Sequence, residues 1–336
     1  LHPLSPALLY HDTRAYAEAA ELGKIAPAGH TVCSASSGLA KFLWLTRHCE
    51  LENATYFMHQ ADWLSALLTG SGGNSDYHNA LKSGYDAGKL CWPEWAMHLP
   101  HSRLLPHVLA PGNLIAEINP GLARHFGINP VCTIHAGTTD SIAAFIAADV
   151  HQPGAAVTSL GTTLVLKLLS TTRVEDARYG IYSHRYGDLW QAGGASNAGG
   201  GVLRQYFSSE QLIELSKRID ASGNSSLDYY PLPRRGERFP HNNPALEPRL
   251  SPRPQDDVEF LHGLLQGLSR IEAAGYAKLV ELGATPLESV TSCGGGASNP
   301  AWQQIRARLL GVPVKTALHG DAAYGAALLA RHAAIL

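Results

Sequence analysis

Apolar and polar positions follow two recurring patterns along the chain, one with helical spacing and one of short apolar runs. Helical spacing predicts helices over 38–47, 61–68, 257–282, 300–310 and 321–334, with a further helix that starts near Asp140. Short apolar runs bounded by glycine predict strands at 131–136, 155–160, 164–169, 189–192, 289–293 and 312–317. Strands that alternate with helices indicate an α/β protein.

Glycine and hydroxyl residues follow three of the predicted strands, at 137–140, 161–163 and 294–299. Glycine allows the backbone to approach a ligand, hydroxyl groups donate to oxyanions, and a helix N-terminus offers unpaired N–H groups. Such turns also occur in α/β proteins for geometry alone. Three of them in one chain favour a phosphate ligand.

Asp140 stands at the start of a predicted helix, directly after Gly137–Thr139. A carboxylate there is either an N-cap or a catalytic base, and Thr138 and Thr139 are equally able to cap the helix. The carboxylate is therefore available to accept a proton from a sugar hydroxyl during phosphoryl transfer. The polar clusters 11–14 and 75–80 suit either polyol binding or local turn chemistry.

The 336 residues favour two substantial domains, with 45% apolar and 16% charged residues that indicate a globular protein. The net charge is −2 and the chain has no Lys/Arg run, which argues against a nucleic-acid partner. It also has no apolar stretch long enough to cross a membrane, so the predicted partner is a small molecule. Five cysteines without a C-x-x-C pair predict reduced core thiols and a cytoplasmic location, and the alternative is a targeting peptide lost with a trimmed N-terminus. The region 222–256 is predicted to be a surface excursion.

The motifs of several other kinds of site are missing or incomplete in this chain. The chain has neither a G-x-x-x-x-G-K-[ST] loop nor a G-x-G-x-x-G after a strand. Ser196 resembles a hydrolase nucleophile, but its motif ends in Ala198 instead of glycine. Prolines interrupt the histidines at 98, 101 and 107, which argues against a metal site.

Taken together, these segments resemble the FGGY family of carbohydrate kinases over essentially the whole chain. The matching pieces are LLYHDTRA (8–15), SDYHNALKSGYD (75–86), HAGTTDSIAAF (135–145), PGAAVTSLGTTLVLKL (153–168), GGASNAGG (193–200), CGGGASNPAWQQIRARLLGVPV (293–314) and DAAYGAALLA (321–330). Within the family the chain is most similar to pentulose kinases of the cyanobacterial and plant D-ribulose kinase type, which are often labelled xylulokinase-like. The resemblance implies two actin-like (ribonuclease H-like) domains, a sugar domain over 1–149 and a nucleotide domain over 150–336, with a cleft between them.

The resemblance also implies a role for each matching residue. The general base falls on Asp140, the sugar lies beside Ser141, and the polar clusters add Asp12 and Asp76 to the sugar site. ATP, accompanied by Mg²⁺, has its phosphates on Gly161, Thr162 and Thr163. The adenosine pocket falls on Gly295, Gly296, Asn299, Trp302 and Gly325, and no metal ligand is assigned.

The family's first strand ends in a D-F-G-T turn, and this chain has no such turn. The first domain is therefore expected to be incomplete at its N-terminus, with an unpaired sheet edge that favours association, such as a homodimer. The predicted reaction is transfer of the ATP γ-phosphoryl group to the terminal hydroxyl of a ketopentose, D-ribulose before D-xylulose. The alternatives are a non-catalytic sugar- or nucleotide-binding protein and a kinase for another polyol or a heptulose.

Overall fold

The computed structural model describes residues 1–331, which form two compact units. The first unit comprises residues 1–146 and the described residues from Asp321 onward, and the second comprises Ala147–Gly320. The boundary lies three residues before the predicted one. The C-terminal helix groups with the first unit by its contacts, and the domain bounds 1–149 and 150–336 stay a prediction.

Short elements build the first unit. Its helices up to the boundary are α1 (Tyr16–Ile25), α2 (Gly38–His48), α3 (Gln60–Thr69), α4 (Tyr77–Leu81), α5 (Glu94–Met97), α6 (Pro120–Phe126) and α7 (Asp140–Ala147). Its strands are β1 (Asn74–Asp76), β2 (His107–Leu109), β3 (Leu114–Glu117) and β4 (Thr133–His135). Strands β1 and β2 pair in parallel, and β3 and β4 pair antiparallel. The predictions of α2, α3, β4 and α7 are confirmed, while α1 was missed.

The core of the first unit lies between α1 and α2. Leu22 of α1 and Leu39, Phe42 and Leu43 of α2 are all buried in it. The Ser37 hydroxyl accepts a hydrogen bond from the Ala40 N–H at 3.1 Å, so a side-chain cap starts α2.

A six-stranded sheet forms the centre of the second unit, in the order β10-β9-β5-β6-β8-β7. Its strands are β5 (Ala155–Leu160), β6 (Leu164–Ser170), β7 (Tyr182–Tyr186), β8 (Leu189–Ala195), β9 (Ser289–Cys293) and β10 (Val314–Thr316). The helices that follow α7 are α8 (Gly200–Leu203), α9 (Ser209–Ser216), α10 (Asp257–Glu281), α11 (Pro300–Leu310) and, in the first unit, α12 (Ala322–Arg331). The predicted part of α12 beyond residue 331 lies outside the described residues. Because β5 and β9 are parallel, their carboxyl ends lie at the same edge of the sheet.

Helix α10 contributes many buried side chains to the core of the second unit, among them Phe260, Leu264 and Leu268. The segment 222–256 was expected to lie on the surface, but its residues Leu227, Tyr229, Leu232 and Phe239 are buried. A Cβ at Gly267 of α10 would lie 2.8 Å from the Tyr229 carbonyl oxygen, so glycine allows this segment to pack on the helix. The prediction was wrong because the many polar and proline residues obscured a few apolar anchors.

All five cysteines are unpaired thiols, but none of them is buried. Cys33 is partly buried and packs against the core of the first unit, so the expectation of unpaired core thiols is met only in part. Within residues 1–331, the helices are all too short or too polar to cross a membrane.

Candidate functional site

Asp76 ends strand β1 and caps helix α4. Its Oδ1 accepts hydrogen bonds from the N–H groups of His78 at 2.9 Å and Asn79 at 3.0 Å, and its Oδ2 accepts one from Asn79 Nδ2 at 2.6 Å. The residue is 2% exposed, and burial raises the pKa of its carboxyl to about 6. Both carboxylate oxygens thus serve the cap, so the structure adds no support for Asp76 as a sugar ligand, and that role stays a prediction.

His78 joins this cap to the turn before α7. Its Nδ1 lies 2.7 Å from Thr138 Oγ1, although the two residues are 60 positions apart in sequence. The imidazole is fully buried. This contact could not be predicted from the sequence, because a histidine beside a tyrosine in a polar cluster is compatible with many environments.

Asp140 is the first residue of α7, and the Thr139 carbonyl accepts the N–H groups of Ile142 and Ala143. The Asp140 side chain is exposed and its Oδ1 accepts the Ser141 N–H at 2.6 Å, while Oδ2 accepts no hydrogen bond from residues 1–331. Ser141 is exposed beside it. The carboxylate is therefore accessible and has one oxygen available to a ligand.

Asp12 lies in the loop before α1 and forms an ion pair with Arg14, whose Nη2 is 2.8 Å from Asp12 Oδ2. Hydrogen bonds from the Arg14 side chain and from its backbone N–H hold the pKa of the Asp12 carboxyl below its usual value. The buried Lys41 ammonium donates to the carbonyl oxygens of Leu9 and Tyr10, which fixes the loop against α2.

Lys82, directly after α4, donates to the Tyr10 hydroxyl at 3.0 Å. Two contacts of the segment 77–82 thus connect the loop 8–15 on one side and the turn 137–140 on the other. The first unit thus brings together the segments 8–15, 75–86 and 135–145, which lie far apart in the sequence.

In the second unit, the turn Gly161–Thr163 connects β5 to β6. The carbonyl oxygens of Gly161 and Thr162 accept the N–H groups of Gly200 and Gly201 at 2.8 and 3.0 Å. The turn's own three N–H groups donate no hydrogen bond to any of residues 1–331. A Cβ at Gly199 would lie 2.5 Å from the Thr162 carbonyl oxygen, so only glycine permits this close packing. The turn is held from behind while its donors stay available.

Arg204 follows α8, is exposed, and donates from Nη2 to Thr162 Oγ1 at 2.9 Å. No carboxylate of the described chain forms an ion pair with it. An unpaired cation beside free N–H groups favours an anion. Sequence reasoning missed Arg204, because a single arginine outside a motif carries no signal.

A second glycine loop follows β9 at the same edge of the sheet. Gly294 has a φ of 83°, and a Cβ there would lie 3.0 Å from the Leu160 carbonyl, at the end of β5. The loop and the turn 161–163 are therefore neighbours within this unit. Gly295 is exposed and nothing lies within 4 Å of its Cβ position, which leaves space for a ligand.

Trp302 was predicted to line the adenosine pocket, but it is 2% exposed in the core and its indole N–H donates to Ser269 Oγ at 3.1 Å. A Cβ at Gly296 would lie 2.5 Å from the Trp302 ring. The indole thus supports the glycine loop from beneath and does not present a face to a nucleotide.

Asn299 caps α11 through its Oδ1, which accepts the Trp302 N–H at 3.1 Å, and its Nδ2 donates to Ser216 Oγ at 2.8 Å. Both ends of this amide already have partners. Gly325 is buried in α12, which belongs to the first unit, so its role in an adenosine pocket stays a prediction.

The family models match both parts of the chain. Residues 2–147 match the N-terminal domain of the FGGY family of carbohydrate kinases, and residues 156–334 match its C-terminal domain. A xylulose kinase of Staphylococcus epidermidis is 25% identical over 355 residues, which cover 98% of this chain and 69% of that protein. A xylulose kinase of Streptomyces coelicolor is 30% identical over 332 residues, with coverage of 93% and 66%.

Solved structures show the same fold. A xyloylose kinase from Brucella ovis has a TM-score of 0.81 at 24% identity, over 98% of this chain and 71% of that chain. A Plasmodium falciparum glycerol kinase with ADP also has a TM-score of 0.81, at 17% identity, over 98% and 70%. The predicted α/β, two-domain actin-like fold is confirmed.

Proposed function

Because the chain belongs to the FGGY family of carbohydrate kinases, we propose that it transfers the γ-phosphoryl group of ATP to the terminal hydroxyl of a ketopentose. The turn Gly161–Thr163 carries this proposal. Its three free N–H groups suit phosphate oxygens, and its carbonyl oxygens are held by the N–H groups of Gly200 and Gly201. Arg204 adds a positive charge beside Thr162.

Asp140 is the proposed general base. Its exposed carboxylate has Oδ2 available, and this oxygen accepts the proton of the sugar hydroxyl as that hydroxyl attacks the γ-phosphorus. The bond from oxygen to phosphorus forms while the bond to ADP breaks, and the electron pair leaves with ADP. Ser141 and Asp12 remain the proposed sugar contacts.

Gly295 and Gly296 are proposed to contact adenosine through their backbone. Asn299 and Trp302 act by holding this loop, since their polar atoms have partners within the protein.

Mg²⁺ is proposed to accompany ATP. Among residues 1–331, no three His, Cys, Asp or Glu side chains form a group that could hold a metal ion. Mg²⁺ in kinases is bound largely by substrate phosphates and water. Mg²⁺ bound to the nucleotide would neutralise phosphate charge, and no residue of this chain is assigned as its ligand.

The acceptor is the finer part of the proposal. The resemblance of the sequence predicts D-ribulose as the preferred acceptor. The relatives are named xylulose kinases, and this favours D-xylulose as the acceptor. A cytoplasmic location and a homodimer remain proposals.

An assay of ADP release with D-xylulose, D-ribulose, glycerol and a heptulose tests the function. We expect the highest kcat/KM with D-xylulose, followed by D-ribulose. If calorimetry detects sugar binding but no acceptor supports ADP release from ATP, this proposal is replaced by a non-catalytic binding protein. A higher kcat/KM for glycerol would overturn the ketopentose assignment.

A further inference from the structure

The turn that precedes Asp140 has few internal restraints. Within the described chain, the backbone groups of Gly137 and Thr138 make no hydrogen bonds, and nothing lies within 4 Å of the Cβ position of Gly137. Regular bonding resumes only at Thr139, whose carbonyl accepts the first N–H groups of α7. The orientation of the turn therefore depends on side-chain contacts.

The contact between Thr138 and His78 supplies such a restraint. Thr138 Oγ1 lies 2.7 Å from His78 Nδ1, and the imidazole is 0% exposed. The His78 backbone is fixed by Asp76 Oδ1, and its ring packs edge to face with Tyr77 at a centroid distance of 4.7 Å. A rigid buried group thus holds a turn that is otherwise loosely bonded.

We propose that His78 is a positioning residue that orients Asp140 through Thr138. The chain of contacts runs from the Asp76 cap to the His78 ring, to the Thr138 hydroxyl, and along two residues of backbone to the proposed base. This inference rests on the proposed function of Asp140. General-base catalysis requires the carboxylate within hydrogen-bond reach of the hydroxyl, so a displacement of about 1 Å reduces turnover strongly.

Two variants remove the contact from opposite sides. His78→Phe keeps an aromatic ring but removes Nδ1, and Thr138→Val is nearly isosteric but removes the hydroxyl. We expect each to lower kcat roughly 10- to 100-fold, with the KM for ATP unchanged within about twofold. The double variant should be no slower than the slower single variant, because both changes break one interaction.

Conservative variants separate positioning from folding. Thr138→Ser keeps the hydroxyl, and His78→Asn keeps a polar nitrogen near the Nδ1 position, so both should recover most of the lost kcat. His59→Phe is the matched control, since His59 in the same unit hydrogen-bonds Asp62 and Ser83 instead of the turn. We expect this control to lower the melting temperature without the selective loss of kcat.

Asp140→Asn distinguishes the failure of this inference from the failure of the proposed function. If Asp140→Asn loses turnover while Thr138→Val keeps wild-type kcat, the positioning role is wrong and the general base stands. If Asp140→Asn keeps kcat, the assignment of the base is wrong and the positioning role falls with it. If His78→Phe does not fold, Thr138→Val and Thr138→Ser still decide the question, because they leave the buried ring intact.

Discussion

Arg306 of α11 donates from Nε and Nη2 to both carboxylate oxygens of Glu272 in α10 at 2.6 Å, with each side chain only 1% exposed. The pair also reaches two neighbouring strands of the sheet, because Arg306 donates to Ser292 on β9 and Thr158 on β5 donates to Glu272. It therefore ties two helices to the strands whose carboxyl ends carry the two proposed nucleotide loops, the phosphate turn after β5 and the adenosine loop after β9.

Loss of this arginine should destabilise the protein strongly. Arg306→Met leaves Glu272 buried without its counter-charge, which typically costs about 3–5 kcal/mol. Arg178→Met removes an ion pair with Asp176 in which the arginine is 73% exposed, and should cost much less, because solvent screens an exposed pair. Denaturant unfolding of both variants measures the difference. Equal losses would show that the buried pair contributes no more than a surface pair.

Two buried serines of the first unit provide a matched test of hydrogen bonding. Ser75 Oγ has no partner among the described residues, whereas Ser83 Oγ lies 3.0 Å from His59 Nε2. An unpaired buried hydroxyl costs free energy, so Ser75→Ala should raise the free energy of unfolding by about 1 kcal/mol, and Ser83→Ala should lower it by a similar amount. The same sign for both changes would contradict this difference.

Asp76 should make stability depend on pH in an unusual direction. Its pKa is about 6 in the folded protein and 3.8 in the ordinary case, so the folded state binds more protons between these values. Its contribution to stability is full below about pH 4 and is lost as the pH rises through 6, by up to about 3 kcal/mol.

The comparison with Asp76→Asn isolates this effect, because asparagine also caps helices but does not titrate. The free energy of unfolding of wild type minus variant should fall between pH 4 and pH 7. A difference that is constant or rises over this range would show that the Asp76 carboxylate is not penalised by burial.

The proposed base predicts a selective loss of turnover. Asp140→Asn keeps the shape of the side chain but cannot accept the proton, so kcat should fall roughly 10²- to 10⁴-fold while calorimetry still detects sugar binding. Asp149→Asn, at an exposed carboxylate of the second unit, is the control and should keep kcat. Near-normal turnover of Asp140→Asn would reject the assignment.

Arg204 should act on the nucleotide and not on the sugar. Arg204→Met removes the charge beside Thr162 and should raise the KM for ATP roughly tenfold, with the KM for sugar unchanged. Arg173→Met removes a similar charge beyond the opposite end of β6, where Arg173 pairs with Glu175, and should leave the KM for ATP unchanged. Similar effects of both variants would indicate general charge attraction and no specific contact.

The sequence by itself determined the elements with strong local signals. The hairpin of β5 and β6, the strand β9 and the helix α11 follow from apolar periodicity and from glycine or proline at their ends, so they were predicted almost to the residue. The location of the glycine turns after β5 and β9 also followed, because glycine and hydroxyl residues after a strand favour a turn.

Only the tertiary structure decided what each polar side chain does. Asp76 and Asp140 both stand at the start of a helix, yet one is buried with its oxygens occupied and the other is exposed. The contacts of His78 with Thr138 and of Arg306 with Glu272 join residues 60 and 34 positions apart. Burial and such pairings depend on how separate segments pack together, and local sequence carries no record of that packing.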